Sequence, residues 1–115
     1  MNKKSSIGAG NVEITLDGDT VTLRPTLKAA QSISRQAGGI MGAVEAVSKF
    51  DLDAITSIIA LGLDRPVKEV AEAVWRTGCS DLAPAVIKFL GILANGGRPL
   101  DDDGGEGDGD PQKRE

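Results

Sequence analysis

A change of hydrophobic rhythm at residues 24–26 limits the folds open to this sequence more than any other feature. Before this point apolar residues alternate with polar ones on both sides of a predicted turn at Asp17-Gly18-Asp19, namely at Val12, Ile14, Leu16, Val21 and Leu23. Such alternation indicates strands, and Asp-Gly is typical of a tight hairpin turn. Pro25 cannot donate to a strand ladder, and Thr26 can cap a following helix. We therefore expect a single β-hairpin followed by helices, and we interpret Arg24 as part of this joint in preference to a catalytic or anion-binding residue.

The rest of the sequence has helical periodicity and predicts about five short helices, near residues 27–37, 40–49, 52–63, 66–77 and 81–94. Asp51 and Ser80 are placed to cap the third and fifth of them, and Gly38 and Gly78 to end the first and fourth. Leu27 and Val67 belong to inward-facing apolar stripes of their helices, and Phe50 extends the stripe of the second. The predicted class is α+β, mainly α.

Charge is distributed unevenly and suggests where the folded part ends. Residues 101–115 contain seven acidic and two basic residues, so their net charge is −5. Because the whole sequence has a net charge of −4, residues 1–100 carry +1. A segment rich in glycine and like charges lacks the apolar side chains that would fix it to a core. We therefore predict a flexible N-terminus over residues 1–10, one domain over residues 11–95, and a disordered acidic C-terminal tail over residues 96–115.

The composition argues against catalysis and metal binding. The sequence has no histidine, which is the usual general base and the commonest metal ligand, and its only cysteine is Cys79. We interpret Cys79 as a small packing residue, and the pairs Asp51/Asp53 and Glu69/Glu72 as helix-start and surface charges. Residues 101–112 lack the glycine and the glutamate of a calcium-binding EF-hand loop. We expect no catalytic residue, no metal site and no cofactor.

Other binding functions are also without support in the sequence. The segment GAGNVE at residues 8–13 precedes a predicted strand, whereas a dinucleotide-binding glycine loop follows one. No basic cluster with interleaved aromatic residues predicts specific nucleic-acid binding, and no apolar run is long enough to cross a membrane. The sequence therefore predicts a soluble, intracellular protein that acts by binding another protein.

The last three helices contain more apolar residues than one inward stripe each requires. A crowded bundle could bury the additional residues, or some of them could form an exposed patch that contacts a partner. We predict that at least two of them are exposed and adjacent, with Trp75 as the main anchor. The candidate partner-binding residues are Ile58, Leu61, Trp75, Ile87 and Ile92.

Two segments resemble a known family. They are VEITLDGDTVTLRPTLKAAQSI, in which a short hairpin breaks at Arg24-Pro25-Thr26 into a helix, and FDLDAITSIIALGL, which starts a helix around Asp51 and Asp53. The succession is similar to that of the small proteins of gene transfer agents and related tailed phages that are grouped as a tail assembly chaperone family. The similarity spans about residues 11–95.

The resemblance implies a non-enzymatic accessory of tail morphogenesis in the cytoplasm of a bacterial host cell. Such chaperones bind the long, apolar, helix-rich tape measure protein, keep it soluble, and help tail tube subunits to assemble around it. Some relatives are also labelled tail tube proteins, so a structural component retained in the particle is the alternative. The resemblance is also compatible with a homo-oligomer, and it assigns no function to residues 101–115.

The composition of residues 101–115 leads to a first prediction. Their deletion should leave the melting temperature of the protein nearly unchanged, because the segment has no apolar side chain beyond Pro111 to bury. Thermal unfolding of the full chain and of residues 1–100, followed by circular dichroism, checks this. A loss of several degrees on deletion would contradict it.

Overall fold

A computed structural model of the protein describes residues 10–100. Within this range a two-stranded antiparallel hairpin is followed by five helices, which confirms the predicted mainly helical α+β class. The strands are β1 (Val12–Leu16) and β2 (Asp19–Leu23). The helices are α1 (Leu27–Ala37), α2 (Ile40–Ser48), α3 (Leu52–Leu63), α4 (Val67–Thr77) and α5 (Cys79–Ala94). The expectations for residues 1–9 and 101–115 lie outside the described residues.

The hairpin turn lies where the sequence predicts it but is one residue shorter, because Asp19 already begins β2. Asp17 and Gly18 have φ values of 50° and 92°, the left-handed conformations of a type I′ turn, and Leu16 pairs with Asp19 across it. Of the alternating residues, Val12, Ile14, Leu16 and Leu23 are buried against the helices, and Val21 is half-buried against them. The inward face of the hairpin was therefore predicted correctly.

The end of β2 is fixed to the last turn of α3. The backbone N–H of Arg24 donates to the carbonyl oxygen of Gly62 over 2.9 Å, and Leu23 beside it is fully buried. A Cβ atom on Gly62 would lie 2.9 Å from Cδ2 of Leu23 and 3.2 Å from Cζ of Phe89. Gly62 thus permits the hairpin, α3 and α5 to approach one another more closely than any larger residue would allow.

Most helix ends follow the predicted caps. Thr26 accepts a hydrogen bond from the N–H of Ala29, and Asp51 accepts one from the N–H of Ala54. The prediction that Ser80 caps the fifth helix is wrong, because α5 begins at Cys79. Gly78, with a φ of 101°, turns the chain directly from α4 into α5, so Ser80 already lies within the helix.

The core is aliphatic around one aromatic ring. Phe89 is fully buried at its centre, and α3 and α5 contribute more buried residues than the other helices. Two stripe predictions are wrong: Leu27 and Val67 are 73% and 47% exposed. Each is the first residue of its helix, where a side chain leans towards the N-terminal end and passes beyond the neighbouring elements. Phe50 is also exposed, because it follows α2 in the left-handed conformation, with a φ of 60°.

Residues 96–100 fold back along α5, whereas the sequence predicts that the disordered tail begins at residue 96. The N–H of Gly97 donates to the carbonyl oxygen of Ile92, and Asn95 Nδ2 donates to the carbonyl oxygens of Arg98 and Pro99. A Cβ atom on Gly10 would lie 2.3 Å from the carbonyl oxygen of Gly97. The first and last parts of the described chain are therefore in contact.

The close approach at Gly62 gives a second prediction. Glycine to alanine within a helix normally adds about 1 kcal/mol of stability, but Gly62→Ala should lower the free energy of unfolding by about 1–3 kcal/mol through overpacking. Gly91→Ala is the matched control, since its Cβ would meet only the side chain of Leu100, at 3.2 Å. Urea denaturation of both variants measures the difference, and a stabilised Gly62→Ala variant would contradict the close packing.

Candidate partner-binding surface

The C-terminal half of α4 is attached to the turn of the hairpin. The backbone N–H of Asp17 donates to Oγ1 of Thr77 over 2.8 Å, and that hydroxyl donates to the carbonyl oxygen of Ala73. Arg76 places its guanidinium 3.4 Å from the carboxylate of Asp17 and also pairs with Glu72. Together with the buried stripe of α4, these contacts set the rotation of the helix about its axis.

That rotation turns Trp75 towards solvent. At about 100° per residue, Trp75 is about 160° around the helix from both Ala73 and Thr77, so it lies on the side away from the hairpin. Its side chain is 65% exposed. Val67 and the half-buried Ala71 precede it at spacings of four residues, and we call these three residues the tryptophan ridge.

The other four predicted partner-binding residues are less accessible than Trp75. Ile58 and Ile92 are only 3% and 2% exposed, so their predicted place on a surface patch is wrong. Both lie on helices that are surrounded by other elements on most sides, and an apolar residue off the main stripe is then still buried. Leu61 and Ile87 are half-buried and pack against the core. Trp75 alone among the five is largely exposed, so the prediction that at least two of them form one exposed patch is wrong.

Two of these residues line different grooves. Ile58 lines a groove of about 340 Å³ between α1, α2 and α3, whose lining also includes Asp51 and Asp53. Leu61 lines a second groove, of about 560 Å³, between β2 and the end of α3. Three basic residues, Arg24, Lys28 and Arg65, line this second groove, and we call it the basic groove. The structure therefore distributes the predicted residues over separate surfaces.

Sequence reasoning missed several exposed apolar side chains. Apart from Trp75, those of residues 10–100 are Leu27, Met41, Phe50, Leu52, Val67 and Leu100. Leu27, Met41, Leu52 and Val67 all lie at the first or second position of a helix. Their position at a helix start was the sequence signal that could have identified them. Periodicity alone assigns such residues to the inward stripe, because it does not show whether a neighbouring helix extends far enough to cover them.

Two side chains that could take part in chemistry, Asp51 and Cys79, have structural partners instead. The carboxylate of Asp51 is engaged as the cap of α3, which is the role predicted for it. Cys79 is half-buried, with its Sγ 3.8 Å from the carbonyl oxygen of Phe50. Within residues 10–100 no group of three or more acidic or thiol side chains could hold a metal ion. No helix in that range has the length and apolarity needed to cross a membrane.

Comparison of the chain with protein-family models, with curated proteins and with solved structures found no match.

The exposure of Trp75 gives a third prediction, which the single tryptophan makes simple to test. Fluorescence of the native protein should be quenched by acrylamide nearly as efficiently as that of the urea-unfolded chain, because most of the indole is in contact with water. Emission at a clearly shorter wavelength than in urea, together with weak quenching, would show that the side chain is covered.

Proposed function

We propose that this protein is a non-enzymatic tail assembly chaperone of a gene transfer agent or a tailed phage. In this role it binds the tape measure protein in the bacterial cytoplasm and keeps it soluble until the tail is assembled. The proposal joins the resemblance of residues 11–95 to the presence of an exposed apolar ridge on a helical domain.

The observation that carries the proposal is the tryptophan ridge. Two large apolar side chains, Val67 and Trp75, are exposed two helical turns apart, with Ala71 between them. Exposed apolar residues in a row are typical of protein interaction surfaces, and tryptophan is enriched among the residues that dominate binding energy. A long apolar helix has the matching chemistry, since its side chains could pack along the ridge.

The attachment of α4 to the hairpin supports this assignment. The contacts of Asp17 with Arg76 and Thr77 fix the helix without using the face that carries the ridge. Binding would therefore require little reorganisation of the chaperone, and a preformed surface keeps the entropic cost of association low.

A structural component retained in the particle is the alternative. The described chain has one sheet of two five-residue strands, whereas tube-forming subunits depend on extended sheets. This observation favours the chaperone. Mass spectrometry of purified particles distinguishes the two functions, because abundant peptides of this chain in finished particles would contradict a chaperone that leaves.

A fourth prediction tests the ridge directly. Trp75→Ala should weaken binding to the co-expressed tape measure protein by about 2 kcal/mol or more, which is about 30-fold in the dissociation constant. The thermal stability of the variant should remain close to that of the parent, because most of this side chain contacts water in the free protein.

Met41→Ala is the matched control, since Met41 is a large apolar residue on α2 that is 75% exposed. Pull-down followed by titration calorimetry should give parental affinity for this control. Parental affinity of Trp75→Ala, or equal losses in both variants, would contradict the role of the ridge.

A further inference from the structure

The outer edge of β2 presents backbone groups that the hairpin does not use. Across a two-residue type I′ turn the closing pair, Leu16 and Asp19, exchanges hydrogen bonds, and bonded pairs then alternate along the ladder. Thr20 and Thr22 therefore direct their N–H and C=O groups away from β1. Arg24, next in this series, donates its N–H to Gly62 on that outer side, in agreement with the alternation.

This edge is open at Thr20 and Thr22. No residue of the described chain is hydrogen-bonded to their outward backbone groups. Both threonines line the basic groove, and Thr20 is exposed. An open edge of this kind is a template for an additional strand, and a groove beside it leaves room for one.

The charges around the groove determine which strand it favours. Arg24, Lys28 and Arg65 line it, and Asp64 is the one acidic residue among the lining residues. The carboxylate of Asp64 is 3.6 Å from Nζ of Lys28, whereas no described carboxylate lies within 4.0 Å of Arg24 or Arg65. Two guanidinium groups are therefore available to an incoming anion.

We propose that the basic groove binds an extended, acidic segment of a partner protein as a third strand of the sheet. The segment would exchange backbone hydrogen bonds with Thr20 and Thr22, and its carboxylates would pair with the guanidinium groups of Arg24 and Arg65. Arginine presents several donors in one plane, so a carboxylate can be bound through two of them at once. This site is independent of the tryptophan ridge and of the identity of the partner proposed above.

The opposite edge of the hairpin explains why the segment would select β2. The groove beside β1 is lined by Glu13, Asp17 and Asp81 and by no basic residue, and of these three carboxylates only that of Asp17 is paired, with Arg76. An acidic strand would be repelled there and attracted at β2. The two edges of the hairpin thus carry opposite charge. This difference determines at which edge the added strand binds and which charge that strand carries.

The test uses the full-length, ¹⁵N-labelled protein and two synthetic peptides, one alternating glutamate with valine and one alternating lysine with valine. The acidic peptide should shift the amide resonances of Thr20 and Thr22 and slow the exchange of these amide protons with solvent. Added salt should weaken the binding of this peptide, because it screens the attraction between carboxylates and guanidinium groups. The lysine peptide should leave both resonances in place. Absence of shifts with the acidic peptide, or equal shifts with both peptides, overturns the proposal.

Two variants separate the backbone contribution from the charge contribution. Thr22→Pro removes an outward N–H, so the hairpin should fold normally while the affinity for the acidic peptide falls about tenfold or more. Val21→Pro is its contrast, since that N–H belongs to the β1–β2 ladder and its loss should unfold the hairpin.

Arg24→Glu combined with Arg65→Glu tests the charge contribution. This double variant should bind the lysine peptide and no longer the acidic one.

Arg35→Glu is the control for the charge variants, because Arg35 is exposed on α1 and does not line the groove. It should leave the affinity for the acidic peptide unchanged, and a loss equal to that of the double variant would overturn the assignment of Arg24 and Arg65. Trp75→Ala should also retain this affinity, whatever its effect on the tape measure protein.

Other occupants would produce different results and would overturn the proposal. A change at Thr20 and Thr22 on deletion of residues 101–115 alone would identify this chain's own acidic segment as the occupant. A dependence of these resonances on protein concentration, without any peptide, would identify a second copy of the chain.

Discussion

The contact between Leu23, Gly62 and Phe89 is the constraint on which the arrangement of the other elements depends. Leu23 and Phe89 are fully buried, and Gly62 lets the backbone of α3 lie directly against both. The hydrogen bond from Arg24 to Gly62 fixes the hairpin at the same point. A two-stranded hairpin is marginal by itself in water, so its stability derives from this contact and from the helices that it covers.

The two surfaces discussed above are consequences of how the hairpin is held. Its turn is tied to α4 through Asp17, which turns the tryptophan ridge outward. Its other end is tied to α3 through Arg24, which leaves the outer edge of β2 open at Thr20 and Thr22. A small domain thus keeps an apolar helix face and a charged strand edge exposed at the same time.

Local sequence signals predicted the elements well, because each depends on few neighbouring residues. Asp17-Gly18 located the hairpin turn, and Thr26 and Asp51 located the starts of two helices. Burial was harder to predict. Val67 was assigned to the core and is exposed, whereas Ile58 was assigned to a surface and is buried, since both outcomes depend on where other helices lie. The basic groove was missed for the same reason, because residues 24, 28 and 65 come together only in the folded chain.

The contact between Gly10 and Gly97 has a topological consequence. The polypeptide enters and leaves the domain at neighbouring positions. The strands and helices could therefore be connected in a different order without a change in how they pack. A short linker across this point would permit new ends to be opened elsewhere, for example in the exposed turn at Gly38. The whole domain could equally be inserted into a surface loop of a carrier protein without forcing the two ends of that loop apart.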